Sequence, residues 1–246
     1  MKKLITIVTA VILTGIAAQA QASPQILLYD NTNTNYHHAQ AALNSLSLSY
    51  TVGNSDTFNP LLEGGSWDLV VVDCPSNIPT TGWTPLINYI SNDGKAIMSF
   101  WNLNNFGFED SYLADAFDVS VTYSFETPQD VYRWVPGHNI FNVPNVVGDL
   151  TSWSNEWIDD GDALMPLAGA QAIAGFTPSL NSRQAAIVLG NSGRTIYNGF
   201  LFDELNAPDS VNLIANEITY VIPEPVTICL FGLGGLGLLR RKHSKA

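Results

Sequence analysis

The sequence predicts an α/β fold with a doubly wound, mostly parallel sheet, placed between an N-terminal signal helix and a C-terminal transmembrane helix. Continuous apolar runs recur along the chain, helix-like segments separate them, and each end carries an apolar stretch beside basic residues. A continuous apolar run is typical of a strand that is buried on both faces, as in a parallel sheet covered by helices. With 246 residues, 46% of them hydrophobic, the chain can build one such domain between its two ends.

Apolar runs bounded by polar turns predict five strands, at 25–29, 69–72, 96–100, 185–189 and 195–202. Helix-like segments lie between or after them, at 36–46, 85–91, 111–117 and 210–220. In the last segment Val211, Ile214 and Ile218 fall on one helical face. Alternation of strands and helices favours the doubly wound sandwich. The alternative is an all-β sandwich, because residues 119–141 are rich in β-formers and VSVTYSF alternates like a half-exposed strand.

Residues 1–22 have the pattern of a secretory signal peptide. Lys2 and Lys3 precede an apolar run from Leu4 to Ala18, and the small residues that follow permit cleavage after Ala20 or Ala22. We therefore expect residues 23–221 to be exported as one globular α/β domain.

The exported body is strongly acidic. Between Ser23 and Val221 lie 21 acidic and four basic residues, so the net charge is near −17. Such a surface repels phosphate backbones, and we expect no nucleic-acid partner. No cofactor is predicted. The two cysteines, Cys74 and Cys229, lie in the body and in the C-terminal apolar run, so we predict no disulfide.

Residues 222–246 have three successive parts. Pro223-Glu224-Pro225 is predicted to be extended and accessible, because proline fixes φ and removes a donor. No charged residue occurs from Val226 to Leu239, and Arg240, Arg241 and Lys242 follow. Basic residues after an apolar segment favour the cytoplasmic side, so the body lies outside and the tail tip inside. A helix of that length rises about 21 Å, against about 30 Å of hydrocarbon, and bilayer thinning with snorkelling of the basic residues absorbs part of the difference.

The order and terminal position of these parts resemble the PEP-CTERM sorting signal of polysaccharide-producing Gram-negative bacteria. The resemblance implies recognition and processing by exosortase, a membrane cysteine transpeptidase. It further implies a single-pass inner-membrane protein before processing, then a protein of the cell envelope or exterior. The partners we expect are exosortase, the inner membrane, and exopolysaccharide or other envelope components.

The body resembles the class I glutamine amidotransferase-like, flavodoxin-like domain. The segments that carry this resemblance are ILLYD, DLVVVDCPSN, GKAIMSFWNLNN, PGHNIF and GNSGRTIYNGFLFDEL. The family implies a catalytic cysteine in a glycine-flanked elbow after the strand 96–100. The residues there are Phe100-Trp101-Asn102-Leu103-Asn104, with no cysteine and no flanking glycine. We therefore expect no amidotransferase reaction, and favour a protein that is not an enzyme.

A ligand crevice is predicted at the strand ends, formed by Asp30, Cys74, Trp101 and Asn102. An envelope or matrix protein would bind a ligand there, whereas the alternative, a secreted hydrolase of glycans or amides, would assemble an acid, a base and a nucleophile. Cys74 is expected to be a buried structural thiol, and His37 and His38 to lie on the surface at a helix start. His138 is expected to bond the backbone of a turn.

Acidic and aromatic residues supply two further candidates. Asp159, Asp160 and Asp162 are predicted to form an acidic turn that is similar to half of a calcium loop, but the distal carboxylates of a full loop are missing, so no metal site is predicted and a solvated turn is favoured. Trp153 and Trp157 could share a helix face and stack on sugar rings, although core packing is the favoured interpretation.

Overall fold

The computed structural model describes residues 23–30, 36–101, 103, 108–154 and 161–222. The predicted signal peptide and almost all of the predicted sorting tail lie outside these residues. Within them, no helix is both long enough and apolar enough to cross a membrane.

The described residues form a mixed α/β fold. The strands are β1 Ile26–Asp30, β2 Tyr50–Gly53, β3 Leu69–Cys74, β4 Ala96–Phe100, β5 Val119–Phe125, β6 Tyr132–Arg133, β7 Gly161–Pro166, β8 Gln171–Gly175, β9 Ala185–Gly190 and β10 Thr195–Asn198. The α-helices are α1 His38–Ser45, α2 Phe58–Gly64, α3 Thr84–Ser91, α4 Phe108–Ala116 and α5 Ala207–Val221. Short 3-10 helices occur at Asn139–Phe141, Asn191–Gly193 and Phe202–Glu204.

The strands pair in the order β2-β1-β3-β4-β10-β9-β7-β5, with β8 between β9 and β6. The first five strands of this order are parallel, which is the flavodoxin-like part of the sheet. The chain between β4 and β10 adds β5 to β9, and every pairing of these strands is antiparallel. The connection from β1 to β2 and the connection from β3 to β4 leave in opposite directions, so the topological switch point lies at the carboxyl ends of β1 and β3.

Helices cover both faces of the parallel part. Ala39 and Leu43 of α1 pack with Leu213 and Ile214 of α5 on one face. The other face carries buried side chains of α2, α3 and α4, such as Phe58. This arrangement buries the apolar runs on both sides, which is why they read as continuous rather than alternating sequences.

The predicted fold class is confirmed for the parallel part, and the five predicted strands coincide with β1, β3, β4, β9 and β10. The run 119–125 is the antiparallel strand β5, so the all-β alternative describes only the inserted half. The last predicted strand ends four residues early. The chain leaves β10 at Gly199, whose amide donates to the Ala186 carbonyl at 2.8 Å and whose carbonyl accepts from the Asp162 amide at 2.9 Å.

Candidate functional site

A row of four buried polar side chains crosses the carboxyl ends of the parallel strands. Asp30 is opposite Asp73, Asp73 is opposite Ser99, and Ser99 is opposite Asn198 in the registers of β1, β3, β4 and β10. Residues opposite each other in neighbouring strands point to the same face. That face is the one covered by α1 and α5, and we call these four residues the polar row.

The 3-10 helix Phe202–Glu204 is fixed above the polar row by hydrogen bonds to Phe202. The Ser99 hydroxyl accepts from the Phe202 amide at 3.1 Å and donates to the Phe200 carbonyl at 3.0 Å. The Phe202 carbonyl contacts Nδ1 of His38 at 2.9 Å and accepts from the Ser210 hydroxyl at 2.9 Å. Phe202 therefore joins β4, the start of α1 and the start of α5, and its position brings the next residue, Asp203, to the row.

Asp73 is a fully enclosed carboxyl group of the site. Its side chain is fully buried, and neither of its oxygens has a hydrogen-bond partner of good geometry. Burial raises its pKa well above the ordinary value, and the nearby carboxylates of Asp203 and Asp30 raise it further, while the Ala39 amide at the start of α1 acts in the opposite direction. Asp73 is therefore favoured as a neutral acid.

Asp30 connects the buried row to the surface through His37. One carboxylate oxygen of Asp30 contacts Nδ1 of His37 at 3.1 Å and accepts from the Gln40 amide at 2.5 Å. The Asp30 side chain is 2% exposed, whereas that of His37 is 49% exposed. A buried carboxylate thus orients an accessible imidazole, which is the arrangement that general-base histidines use.

At the other end of the row, Asn198 contacts Glu217 of α5. The Asn198 amide donates to a Glu217 oxygen at 3.1 Å, and both side chains are fully buried. Burial raises the pKa of Glu217 to about 8, and the bond from Asn198 opposes this only in part. A second acid of the site is therefore protonated near neutral pH.

The structure does not bring Cys74 to this row. Cys74 follows Asp73 in β3 and points to the opposite face, where it packs with Val72 and Trp83. Its thiol donates to the Asn77 carbonyl at 3.0 Å, and burial raises its pKa well above the usual range. The predicted buried thiol is confirmed, and a thiol in this state is a poor nucleophile.

The remaining crevice residues follow β4. Trp101 is half-buried, its amide donates to the Cys74 carbonyl at 3.3 Å, and its ring lies 6.1 Å from that of Phe100. Asn102 lies outside the described residues.

The structure contradicts the predicted position of His38 and agrees with that of His138. His38 is buried, so its predicted surface position is wrong: the first turn of α1 packs on the Phe202–Glu204 helix, and burial lowers the pKa of His38. His138 precedes the 3-10 helix Asn139–Phe141 and accepts a hydrogen bond from the Ile140 amide at 3.3 Å, as expected of a turn histidine.

The acidic turn predicted at Asp159, Asp160 and Asp162 is wrong for Asp162, which is a buried residue of β7. Its carboxylate accepts from the Leu103 amide at 2.8 Å and from the Ser124 hydroxyl at 2.5 Å. Asp159 and Asp160 lie outside the described residues. In the part of the chain that the structure describes, no three His, Cys, Asp or Glu side chains are placed to hold a metal ion.

The predicted helix face of Trp153 and Trp157 is likewise wrong at Trp153. This residue lies in an extended segment bridged to Leu205, and its ring packs on Phe200 with centroids 5.6 Å apart. Trp157 lies outside the described residues.

Three members of the polar row, Asp73, Ser99 and Asn198, were absent from the sequence-based prediction, as was Asp203. A usable signal existed, because each parallel strand that forms the row is an apolar run with one polar residue near its carboxyl end, as in ILLYD, LVVVDC, AIMSF and TIYN. The register that aligns these residues could not be read from the runs alone.

Comparison with known proteins supports the fold. No protein-family model matches the sequence, and no curated protein matches it. A protein assigned as a GMP synthase component from Thermoplasma acidophilum aligns with 81% of this chain and 96% of its own, at 15% identity and a TM-score of 0.51. A ThuA-like protein from Bacteroides uniformis aligns with 86% of this chain and 97% of its own, at 13% identity and a TM-score of 0.53.

A carbohydrate deacetylase aligns with 80% of this chain and 32% of its own length, at 15% identity and a TM-score of 0.51. At such identities the likeness is one of fold. It is consistent with the resemblance of the body to the glutamine amidotransferase-like domain, and it identifies no activity.

Proposed function

We propose that this chain is an exported, non-enzymatic protein of the cell envelope or extracellular matrix, sorted by exosortase through a PEP-CTERM tail. The observation that carries the proposal is the order of the tail: Pro223-Glu224-Pro225, an uncharged segment from Val226 to Leu239, then Arg240 and Arg241. The signal-peptide pattern at the other end supports export of the body between them.

The body of this protein binds a ligand or partner at the carboxyl ends of its parallel strands. In open α/β sheets, ligands bind in the crevice at the topological switch point, which here lies beside Asp30 and Asp73. The burial of Cys74 on the opposite face, and the absence of a cysteine directly after β4, argue against the amidotransferase reaction. The acidic character of the body suits a secreted, solvated surface that associates with exopolysaccharide or other envelope components.

Mass spectrometry of the C-terminus tests the sorting proposal. In cells that contain the sorting enzyme, the tail should be cleaved near Pro223-Glu224-Pro225, and in cells without the enzyme it should be intact. The variant Glu224→Ala should retain its tail, whereas Glu204→Gln, a change in the body, should be processed like the wild type. An intact tail in wild-type cells with the enzyme would refute sorting by exosortase while leaving export untouched.

A second function, hydrolysis of glycans or amides, is favoured by one arrangement. His37 is an exposed imidazole oriented by buried Asp30, and Asp73 lies next to Asp30 as a neutral acid. The body would then activate water directly, because the Ser99 hydroxyl beside this pair is buried and bonded to the Phe200 carbonyl, and the Cys74 thiol lies on the opposite face. Acetylated chito-oligosaccharides and peptide amides are suitable probes. Turnover that disappears in His37→Gln, but persists in the control His138→Gln, would establish the hydrolase in place of the binding protein.

A further inference from the structure

The polar row and Glu217 contain buried oxygen atoms that have no hydrogen-bond partner of good geometry. Within the described residues these atoms are one oxygen of Asp30, both of Asp73, one of Asn198 and one of Glu217. A buried acceptor without a donor destabilises the fold, and a buried charge does so more strongly. A proton on a carboxyl group supplies a donor and removes the charge in one step.

No lysine or arginine of the body compensates these carboxyl groups. Lys95 donates to the Val221 carbonyl at 3.1 Å, and Arg133 and Arg194 pair with Asp149 and Asp93. Arg183 is exposed. These are all four lysine and arginine residues between Ser23 and Val221, so none of them neutralises a carboxylate of the polar row.

The groups around Asp73 come from several elements. Asp30 faces it from β1, Asp203 from the 3-10 helix Phe202–Glu204, and Cys74 follows it in β3. The start of α1 contributes the Ala39 amide to Asp73, a contact from His37 to Asp30, and a contact from His38 to the Phe202 carbonyl.

Glu217 lies in a different setting, because Asn198 is the group that bonds it. Two neighbouring titratable groups have other contacts: Lys95 donates to the Val221 carbonyl at the end of α5, and the His138 ring lies 5.1 Å from the Tyr220 ring. The pKa of Glu217 is therefore raised by burial alone. The pKa of Asp73 is raised by burial and also by the like charges of Asp203 and Asp30, which belong to separate elements.

We propose that Asp73 is a proton-dependent contact that closes the strand-end crevice: as the neutral acid it keeps α1 and the Phe202–Glu204 helix on the polar row. When Asp73 ionises, its charge faces Asp30 and Asp203 without a compensating lysine or arginine. Helix α1 and the Phe202–Glu204 helix then move away from the polar row together, and the carboxyl ends of β1 and β3 become accessible. Acid closes the crevice and alkali opens it.

The sign follows from proton binding. A carboxyl group whose pKa is raised by folding binds more protons in the closed state than in the open one. The closed state is therefore undisturbed at low pH and loses stability as the pH rises towards the pKa of the folded group. Each pH unit within that window changes the opening equilibrium about tenfold.

Hydrogen–deuterium exchange of the full-length protein in a non-ionic detergent tests this contact. Protection factors, corrected for intrinsic exchange, are measured between about pH 5 and pH 8.5 for peptides of α1 and 199–206, with β9 as an internal reference. The wild type should lose protection in α1 and 199–206 by about tenfold or more relative to β9 as the pH rises. In Asp73→Asn, α1 and 199–206 should keep their protection relative to β9 across the range, because the amide cannot ionise.

Asp149→Asn is the matched control, because Arg133 and its backbone amide lower the pKa of this exposed carboxyl group. It should lose protection in α1 and 199–206 as the wild type does. A wild type with no local loss, a loss shared equally by β9, or the same loss in Asp73→Asn would overturn the proposal. If Asp73→Asn does not fold, Asp203→Asn decides: it should show a smaller loss than the wild type, and an undiminished loss refutes the role of these like charges.

Discussion

Replacing Glu217 by glutamine should stabilise the protein at neutral pH, although the glutamate lies in the core. The new side chain would accept the bond that Asn198 now donates, and its own amide could donate to the Asn198 oxygen that has no partner. The substitution conserves size and removes a group that must carry either a proton or an unfavourable charge. Loss of the charge is therefore the main change.

The magnitude follows from the pKa of Glu217, which is about 8 in place of the ordinary 4.5. At about 1.4 kcal/mol per pKa unit, the full difference corresponds to about 5 kcal/mol. Because the folded pKa is raised, this penalty is absent below pH 4.5, grows as the pH rises, and is complete above about pH 8. At pH 7 the wild type should have lost about 3 kcal/mol of unfolding free energy through this group.

Urea denaturation of the full-length protein, followed by tryptophan fluorescence in neutral detergent, measures the effect. At about pH 4.5 the wild type and Glu217→Gln should have similar unfolding free energies, and at pH 7 the variant should be more stable by about 3 kcal/mol. Asp149→Asn supplies the opposite sign, because its carboxylate has a lowered pKa and loses its favourable contact as the pH falls. A Glu217→Gln variant whose stability changes with pH as steeply as that of the wild type would refute the reasoning.

Three further predictions test the packing around the site. In a Cys229→Ser background, Cys74 should not react with a thiol reagent in the native protein and should react once in urea, because the thiol is buried; rapid native labelling would contradict this. Gly199→Ala should destabilise the protein by about 2 kcal/mol or more, because the added Cβ would meet the Asp162 carbonyl, whereas Gly137→Ala, with open space around its Cβ, should change stability by less than about 0.5 kcal/mol. Equal melting temperatures of the two glycine variants would show that the chain can relax at Gly199. Asp162→Ala should cost about 2–3 kcal/mol, because it removes the buried carboxylate that accepts from the Leu103 amide and the Ser124 hydroxyl, and millimolar calcium should leave the wild-type melting temperature unchanged; a calcium-dependent rise would support a metal site at this position.

The parallel half of the fold was predictable because burial on both faces leaves a direct record in the sequence. LVVVDC and AIMSF are apolar at nearly every position, and they form adjacent central strands. The strand β2, in contrast, lies at the sheet edge with Thr51 and Val52 exposed, so its sequence carries no continuous apolar run. The helix α2 has Thr57 at its N-cap, but it is only seven residues long and has no acidic residue in its first turn, so its start signal was weak.

The location of the site could be predicted from the sequence, but the residues that form it could not. The rule that ligands bind at the carboxyl ends of parallel strands pointed to Asp30 and to the end of β3. It could not decide whether Asp73 or Cys74 faces the crevice, because that choice depends on which face α1 covers. The environment of His38 could not be predicted either, since its partner, the Phe202 carbonyl, is 164 residues away in the sequence.

The choice between Asp73 and Cys74 also limits the chemistry of this protein. Successive side chains of a strand point to opposite faces, so a shift of one residue in β3 would exchange a buried carboxyl group for a buried thiol at the switch point. The register from Asp30 to Asn198 places the acid in the row and the thiol in the core. A thiol nucleophile activated by His37 would require β3 to turn over, which would bury Asp73 against Trp83 and Phe100. Among the described residues the fold therefore places acids and an imidazole at the strand ends, an arrangement that suits activation of a bound water molecule or binding alone.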